Sequence, residues 1–211
     1  MTPPQVITNA DPVVFAVTFS EAVTGVAANN FALTTSGTQV NAEITGVQGA
    51  GADWEVTVDT VPGEGTIRLD LVAHLGTILD AVLNPLETPY TSGETYTIDR
   101  VAPQAQYIER RTPAVGEGEP TNAAQVVFHV LFNEPVQGCV PQNFQIDATG
   151  GQTAAVVAGV VPVGASPSIL WEVTLDTAPG EGLLSVDLVP YGGGGRDVAG
   201  NAVAAFAAGQ Y

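Results

Sequence analysis

Apolar and polar side chains alternate along most of this chain with a period of two. In VVFAVTF, Phe15, Val17 and Phe19 fall on one side, and in VVFHVLF, Phe128, Val130 and Phe132 do the same. Trp54, Val56 and Val58 alternate with Glu55, Thr57 and Asp59, and Ile67, Leu69 and Leu71 alternate with Thr66, Arg68 and Asp70. A repeat of two matches the pleat of an extended strand, whose successive side chains leave on opposite faces, so each run predicts a strand with one apolar and one polar face. In the first half of the chain the runs predict strands near 12–20, 30–35, 40–47, 53–61, 65–73 and 94–99, with a further strand ahead of Thr8. No helix is required anywhere. Between the strands stand turn formers: VPGEG at 61–65 and APGEG at 178–182 read as hairpin turns whose glycines supply positive φ.

The pattern is written twice. TNADPVVFAVTFSEAVTGVAANNFALTTSG at 8–37 matches TNAAQVVFHVLFNEPVQGCVPQNFQIDATG at 121–150 without a gap, and WEVTVDTVPGEGTIRLDLV at 54–72 matches WEVTLDTAPGEGLLSVDLV at 171–189. The second copy is longer only around 161–167, and DAVLN at 80–84 then lines up with DVAGN at 197–201. Each copy is long enough to own a core, which argues for tandem modules over a solenoid. About seven short strands per hundred residues is the pattern of an antiparallel sandwich. The expectation is therefore an all-β chain of two tandem immunoglobulin-like antiparallel β-sandwich domains, residues 1–100 and 101–211. A short, proline-bearing and hence semi-rigid linker is expected near 98–103, and Trp54 and Trp171 are expected in the cores. The first copy opens with few residues before Thr8 and the second closes at FAAGQY where the first has YTSGETYTIDR, so the chain reads as cut from a longer array with sheet edges left unpaired.

VTFSEAVTGV and VLFNEPVQGC, an Asn-Phe a few positions on, WEVTV followed by PGEG, then DVAGNAV and YTSGETYTID resemble the bacterial Ig-like repeats of large secreted or cell-surface, adhesin-like proteins. The resemblance spans both copies, and DAVLNPL departs from the Asp-x-Ala-Gly-Asn pattern that DVAGN keeps. It implies a sandwich module used as stalk, spacer or adhesive segment, without catalysis, whose partners are neighbouring repeats of its parent chain and a host-surface or glycan ligand. It also implies an extracellular or cell-surface location.

Charge narrows the partners further. Twenty-two acidic residues face 5 basic ones, for a net charge of −17. Such a surface repels nucleic acid, whose binding needs a basic patch, and suits either high solubility outside the cell or the coordination of hard cations. No run of eighteen apolar residues and no basic-apolar leader is present, so neither membrane insertion nor an export signal is expected within the chain. The 1 cysteine, Cys139, stands where the first copy has Val26, which favours a small buried hydrophobe over a reactive thiol.

Catalytic chemistry has little to work with. The 2 histidines, His74 and His129, belong to no nucleophile–base motif. His129 aligns with Ala16 on the polar side of its strand and is expected at an exposed or rim position, while His74 has no counterpart at Tyr191. The YGGGGRD segment starting at Tyr191 is expected to form a mobile loop. No cofactor is required by any motif; calcium is the one worth weighing. Glu21 and Glu134 end matching strands, Asp80 with Asn84 and Asp197 with Asn201 occupy matching loops, and Asp99 sits at the linker, where an oxygen cluster would fix the angle between modules. The competing reading is that these Asp and Asn side chains close turns through their own backbone. Beside the stalk reading stands an alternative function, a carbohydrate-binding or accessory module of a secreted enzyme, for which exposed tyrosines Tyr90, Tyr107 and Tyr191 are the candidate ligand-binding residues.

Overall fold

The computed structural model describes residues 5–72, 74–113 and 120–207. The chain separates into two compact units, Met1–Val101 and Ala102–Tyr211. Both are all-β, and among the described residues the only helices are single 3-10 turns.

In the first unit the strands are β1 (Gln5–Thr8), β2 (Val13–Thr18), β3 (Phe31–Thr35), β4 (Glu43–Ala50), β5 (Asp53–Asp59), β6 (Gly65–Leu71) and β7 (Thr95–Ile98). They form two sheets, β2-β5-β4 and β1-β7-β6-β3. Every pairing is antiparallel except β1 with β7, which run parallel from Gln5 opposite Thr95 to Thr8 opposite Ile98. The alternation puts Val13 and Phe15 of β2 and Val56 and Val58 of β5 against Phe31, Ile67, Leu69 and Ile98 of the other sheet, giving one apolar cluster between the sheets. Val56, Val58 and Ile67 are completely enclosed, and burying one such side chain contributes roughly 1.5–3 kcal/mol.

The second unit repeats this plan with different edges. Its strands are β8 (Ala105–Thr112), β9 (Gln125–Val136), β10 (Phe144–Ala148), β11 (Val156–Pro162), β12 (Ser168–Asp176) and β13 (Leu184–Leu188). One sheet is β11-β12-β9-β8 and the other is β10-β13. The core again lies between them, from Val126, Phe128, Val130 and Phe132 to Val186 and Leu188. The opening strand β8 lies beside β9, whereas in the first unit the opening strand lies in the other sheet, beside β7. Even a bulge is shared: the register slips between Ile44 and Gly46 and, at the aligned place, between Val157 and Gly159.

Several expectations shift in detail. Residues 40–41 belong to the 3-10 turn Gly37–Asn41, so β4 starts at Glu43 and runs on to Ala50. The VPGEG and APGEG segments are not hairpin turns. Strand β5 is already flanked on both sides by β2 and β4, and β12 by β9 and β11, so the chain must cross to the other sheet to form β6 and β13. Trp171 is buried at 3% exposure, while Trp54 is only half-buried against its cluster. The end of the strand predicted over 65–73 reaches Ala73, which lies outside the described residues.

Candidate functional site

The repeated polar residues fall into three groups, and each group is occupied in holding the backbone. The first is the Asp–Asn loop. Asp80 Oδ1 accepts the backbone N–H groups of Val82 and Asn84 at 2.9 and 2.8 Å, and its Oδ2 accepts the Asn84 amide at 2.8 Å. Asp197 Oδ1 accepts from Gly200 and Asn201 at 2.7 and 2.8 Å, and its Oδ2 from the Asn201 amide at 2.8 Å. In both loops the Asp N–H also donates to the carbonyl of the partner Asn. The hydrogen bonds from the Asn84 backbone and side chain hold the Asp80 carboxyl below its usual range, since they favour the charged form.

The second group is a buried asparagine that sequence reasoning noted only as part of an Asn-Phe pair. Asn30 and Asn143 are both fully enclosed. Asn30 Oδ1 accepts the Ala27 N–H at 2.7 Å, and its amide donates to the His74 carbonyl and the Thr77 hydroxyl, both at 3.0 Å. Asn143 Oδ1 accepts from Val140 at 3.1 Å and Gly195 at 2.9 Å, and its amide donates to the Val189 carbonyl at 3.2 Å. The YGGGGRD loop is therefore packed at its later glycines: Gly194 and Gly195 are buried, and a Cβ on Gly194 would stand 2.1 Å from Asn143 Oδ1.

The third group is a glutamine that sequence reasoning missed. Gln39 Nε2 donates to the Val61 carbonyl at 2.8 Å and its Oε1 accepts the Val61 N–H at 3.1 Å. Gln152 grips Ala178 in the same two ways, at 2.7 and 3.0 Å. These bonds pin the PGEG crossover. Two positions before each glutamine, Gly37 and Gly150 hold φ of 62° and 57°, and a Cβ on either would stand 2.4 Å from the Glu64 or Glu181 carbonyl oxygen. The available signal was identity between the copies, in SGTQ against TGGQ and ANNF against PQNF.

The remaining candidates scatter. Glu21 is exposed in a bend after β2, whereas its counterpart Glu134 lies within β9, because β9 runs on to Val136. Within the second unit, carboxylate oxygens of Glu134 and Asp197 lie within 4.8 Å of each other. Calcium takes six to eight oxygens, and Asp197 already accepts three N–H groups, so this pair supplies only part of a coordination shell. Asp99 in the first unit accepts the Val101 N–H at 3.1 Å, closing a turn on its own backbone.

Tyr90 and Tyr191 are exposed at 58% and 45%. Tyr107 is half-buried on β8 opposite Leu131. Tyr90 lines a groove of about 470 Å³ in the first unit with Phe19, Leu86 and Pro89. His129 sits mid-sheet on β9 and not at a rim, with its Nε2 at 3.0 Å from Glu172 Oε1 on the neighbouring strand. The exposed His74 holds a positive φ of 49°, and its backbone carbonyl, not its ring, is what Asn30 and Thr77 use. Cys139 is buried at 7% exposure, and burial pushes its thiol pKa up to about 12. It behaves as a hydrophobe.

No family model, curated protein or solved structure matches the chain. Function therefore rests on the geometry above. No described helix is long and apolar enough to cross a membrane.

Proposed function

We propose that the chain is a non-catalytic pair of tandem immunoglobulin-like modules serving as a stalk or spacer in a large bacterial extracellular or surface protein. The observation that supports this reading is the fate of its repeated polar residues. Asp80 and Asp197, Asn30 and Asn143, and Gln39 and Gln152 are spent, at matching positions in both units, on backbone donors and acceptors. A catalytic group needs a lone pair or proton facing a substrate; these groups face their own loops. Repetition of such pins is what a module needs when its task is to keep its shape.

The alternative, a carbohydrate-binding module, draws on Tyr90, whose exposed ring edges the apolar groove of the first unit and suits stacking against a sugar face. Affinity electrophoresis in a panel of soluble polysaccharides tests both readings. Unretarded migration of the chain and of its Tyr90→Ala variant is expected for a spacer. Retardation abolished by Tyr90→Ala would replace the spacer reading with the carbohydrate one.

A further inference from the structure

The two units share a core pattern and differ on an outward face. In the sheet β11-β12-β9-β8, Ile108, Val130 and Trp171 turn into the core, so the residues beside them on each strand face outward. Register sets these in rows that run across the strands. Tyr107 stands opposite Leu131, Leu131 opposite Leu170, and the Val163 N–H donates to the Leu170 carbonyl at 2.8 Å. One row along, Glu109 stands opposite His129, His129 opposite Glu172 and Glu172 opposite Val161. The first row is apolar from end to end, and the second sets carboxylates beside it.

The first unit writes the same rows in polar residues. Thr18, Asp53 and Ala50 align with Leu131, Leu170 and Val163, and the Thr18 hydroxyl donates to Asp53 Oδ1 at 3.1 Å. Gln48 aligns with Val161 and donates its amide to Glu55 Oε2 at 2.9 Å. The sandwich therefore folds with a hydrophilic face here, and folding gives no reason for the leucines. In the second unit Val161 and Val163 are exposed, and Tyr107, Leu131 and Leu170 are half-buried. Apolar side chains scattered singly over a surface are ordinary, whereas a contiguous row rimmed by polar groups marks a contact surface.

Charge and spacing select the occupant. The apolar row crosses four strands, about 14 Å, and the carboxylate row lies about 7 Å from it. Ten residues of helix cover about 15 Å, with side chains on either flank of an apolar seam. Glu172 meets His129 yet keeps 41% of its side chain exposed, and Glu109 is exposed on β8. The arginines of that strand lie elsewhere, Arg110 opposite the inward-facing Phe128 and Arg111 at the bulge beyond it. A second copy of this chain would bring the same carboxylates and a further charge of −17 against them. We infer that this face docks an amphipathic helix of another protein, with an aliphatic seam on the row from Tyr107 to Val163 and lysine or arginine over Glu109 and Glu172. The inference goes beyond the spacer reading and does not depend on it.

The probe is a fluorescein-labelled peptide of two LKKLLKK repeats, titrated into the whole chain and followed by anisotropy, beside a scrambled peptide of the same composition. Saturable binding is expected, with amide chemical shifts on β8, β9 and β12. Leu131→Thr combined with Leu170→Asp installs the first unit's own residues and adds a negative charge, so attraction by charge alone would persist. Affinity should nevertheless fall by about tenfold or more, as loss of apolar anchors does. Tryptophan emission checks that this variant is folded. If it is not, Val161→Gln, at an exposed position, takes its place and should weaken binding about threefold or more. Absence of saturable binding, equal affinity for the scrambled peptide, or unchanged affinity in the folded variant overturns the inference. So does self-association in sedimentation velocity that Leu131→Thr abolishes, because the occupant would then be a second copy of this chain.

Discussion

The loop closed by Asp80 and the loop closed by Asp197 share every bond to their partner asparagine, Asn84 or Asn201, but differ in one donor, Val82 two places after Asp80 and Gly200 three places after Asp197, and they stand in different surroundings. Asp197 is fully enclosed, whereas Asp80 is partly open to solvent. Between Asp and Asn the first loop reads Ala-Val-Leu and the second Val-Ala-Gly, and the position before Asn adopts positive φ in both, 68° at Leu83 and 101° at Gly200. Glycine takes that conformation without steric cost; leucine does not. The shared Asp–Asn bonds thus go with a positive φ before Asn in both sequences, and the first loop carries strain that the second avoids.

The comparison breaks most forcefully beneath the loops. Asn143→Ala leaves the Val140 and Gly195 N–H groups and the Val189 carbonyl without their side-chain partner in an enclosed site, and should cost about 3 kcal/mol or more. Asn30→Ala should cost a similar amount in the first unit. Because each unit holds one tryptophan, Trp54 or Trp171, denaturant melts monitored in Trp54→Phe and Trp171→Phe backgrounds assign each loss to its unit. A loss confined to one of the two asparagines would mean that the aligned residues are not equivalent pins.

Next comes the carboxylate itself. Asp197→Ala should destabilise the second unit by about 2 kcal/mol, the cost of orphaning buried donors, and Asp80→Ala should do clearly less because water reaches its donors. Equal effects would show that solvent access does not separate the loops. Exchanging the residue before Asn gives a smaller effect of opposite sign on the two sides. Leu83→Gly should stabilise the first unit by up to about 1 kcal/mol through relief of positive-φ strain, whereas Gly200→Leu should destabilise the second by about 1–2 kcal/mol.

Acid gives the weakest contrast. Burial raises the Asp70 carboxyl, but hydrogen bonds from Arg68 and Thr34 and the nearby Arg68 charge outweigh it, and its net shift, like that of Asp80, is downward. A carboxyl lowered in the folded state contributes stability that is present above its unfolded pKa and lost as pH falls through the folded value. The first unit's melting temperature should therefore be flat with respect to these two groups down to about pH 4 and fall below it. Calcium sharpens the same comparison. Loops closed by amide donors should melt alike in chelator and in calcium, and a calcium-dependent rise confined to the second unit would give Glu134 and Asp197 a cation to hold.

Much of the sandwich could be read from the chain because alternation encodes which face of a strand is buried, and six strand positions of the first unit followed from it. Which neighbour a strand chooses is not local information. The parallel seat of β1 beside β7, the placement of β8 beside β9 and the crossover at PGEG depend on which edges are still free when the sheets close. The pins were hidden for another reason. Asparagine and glutamine belong on surfaces by composition, so Asn30 and Gln39 pass for loop polarity until their aligned partners are seen, Gln152 in the same two bonds as Gln39 and Asn143 as enclosed as Asn30 and taking the matching N–H, that of Val140 where Asn30 takes Ala27. Glu21 and Glu134 aligned equally well yet parted, because β9 continues past the point where β2 has stopped.

The parallel pair β1–β7 joins the first and last strands of its unit. Tension applied through the chain at the two ends of that unit would draw β1 and β7 along their own lengths in opposite directions. Their four register pairs would then be loaded together, in shear, and would have to yield as a group. The antiparallel β8–β9 pair cannot be loaded in that way by its opening strand alone. Under end-to-end tension the β1–β7 seam is therefore the element that sets the force at which the first unit gives way.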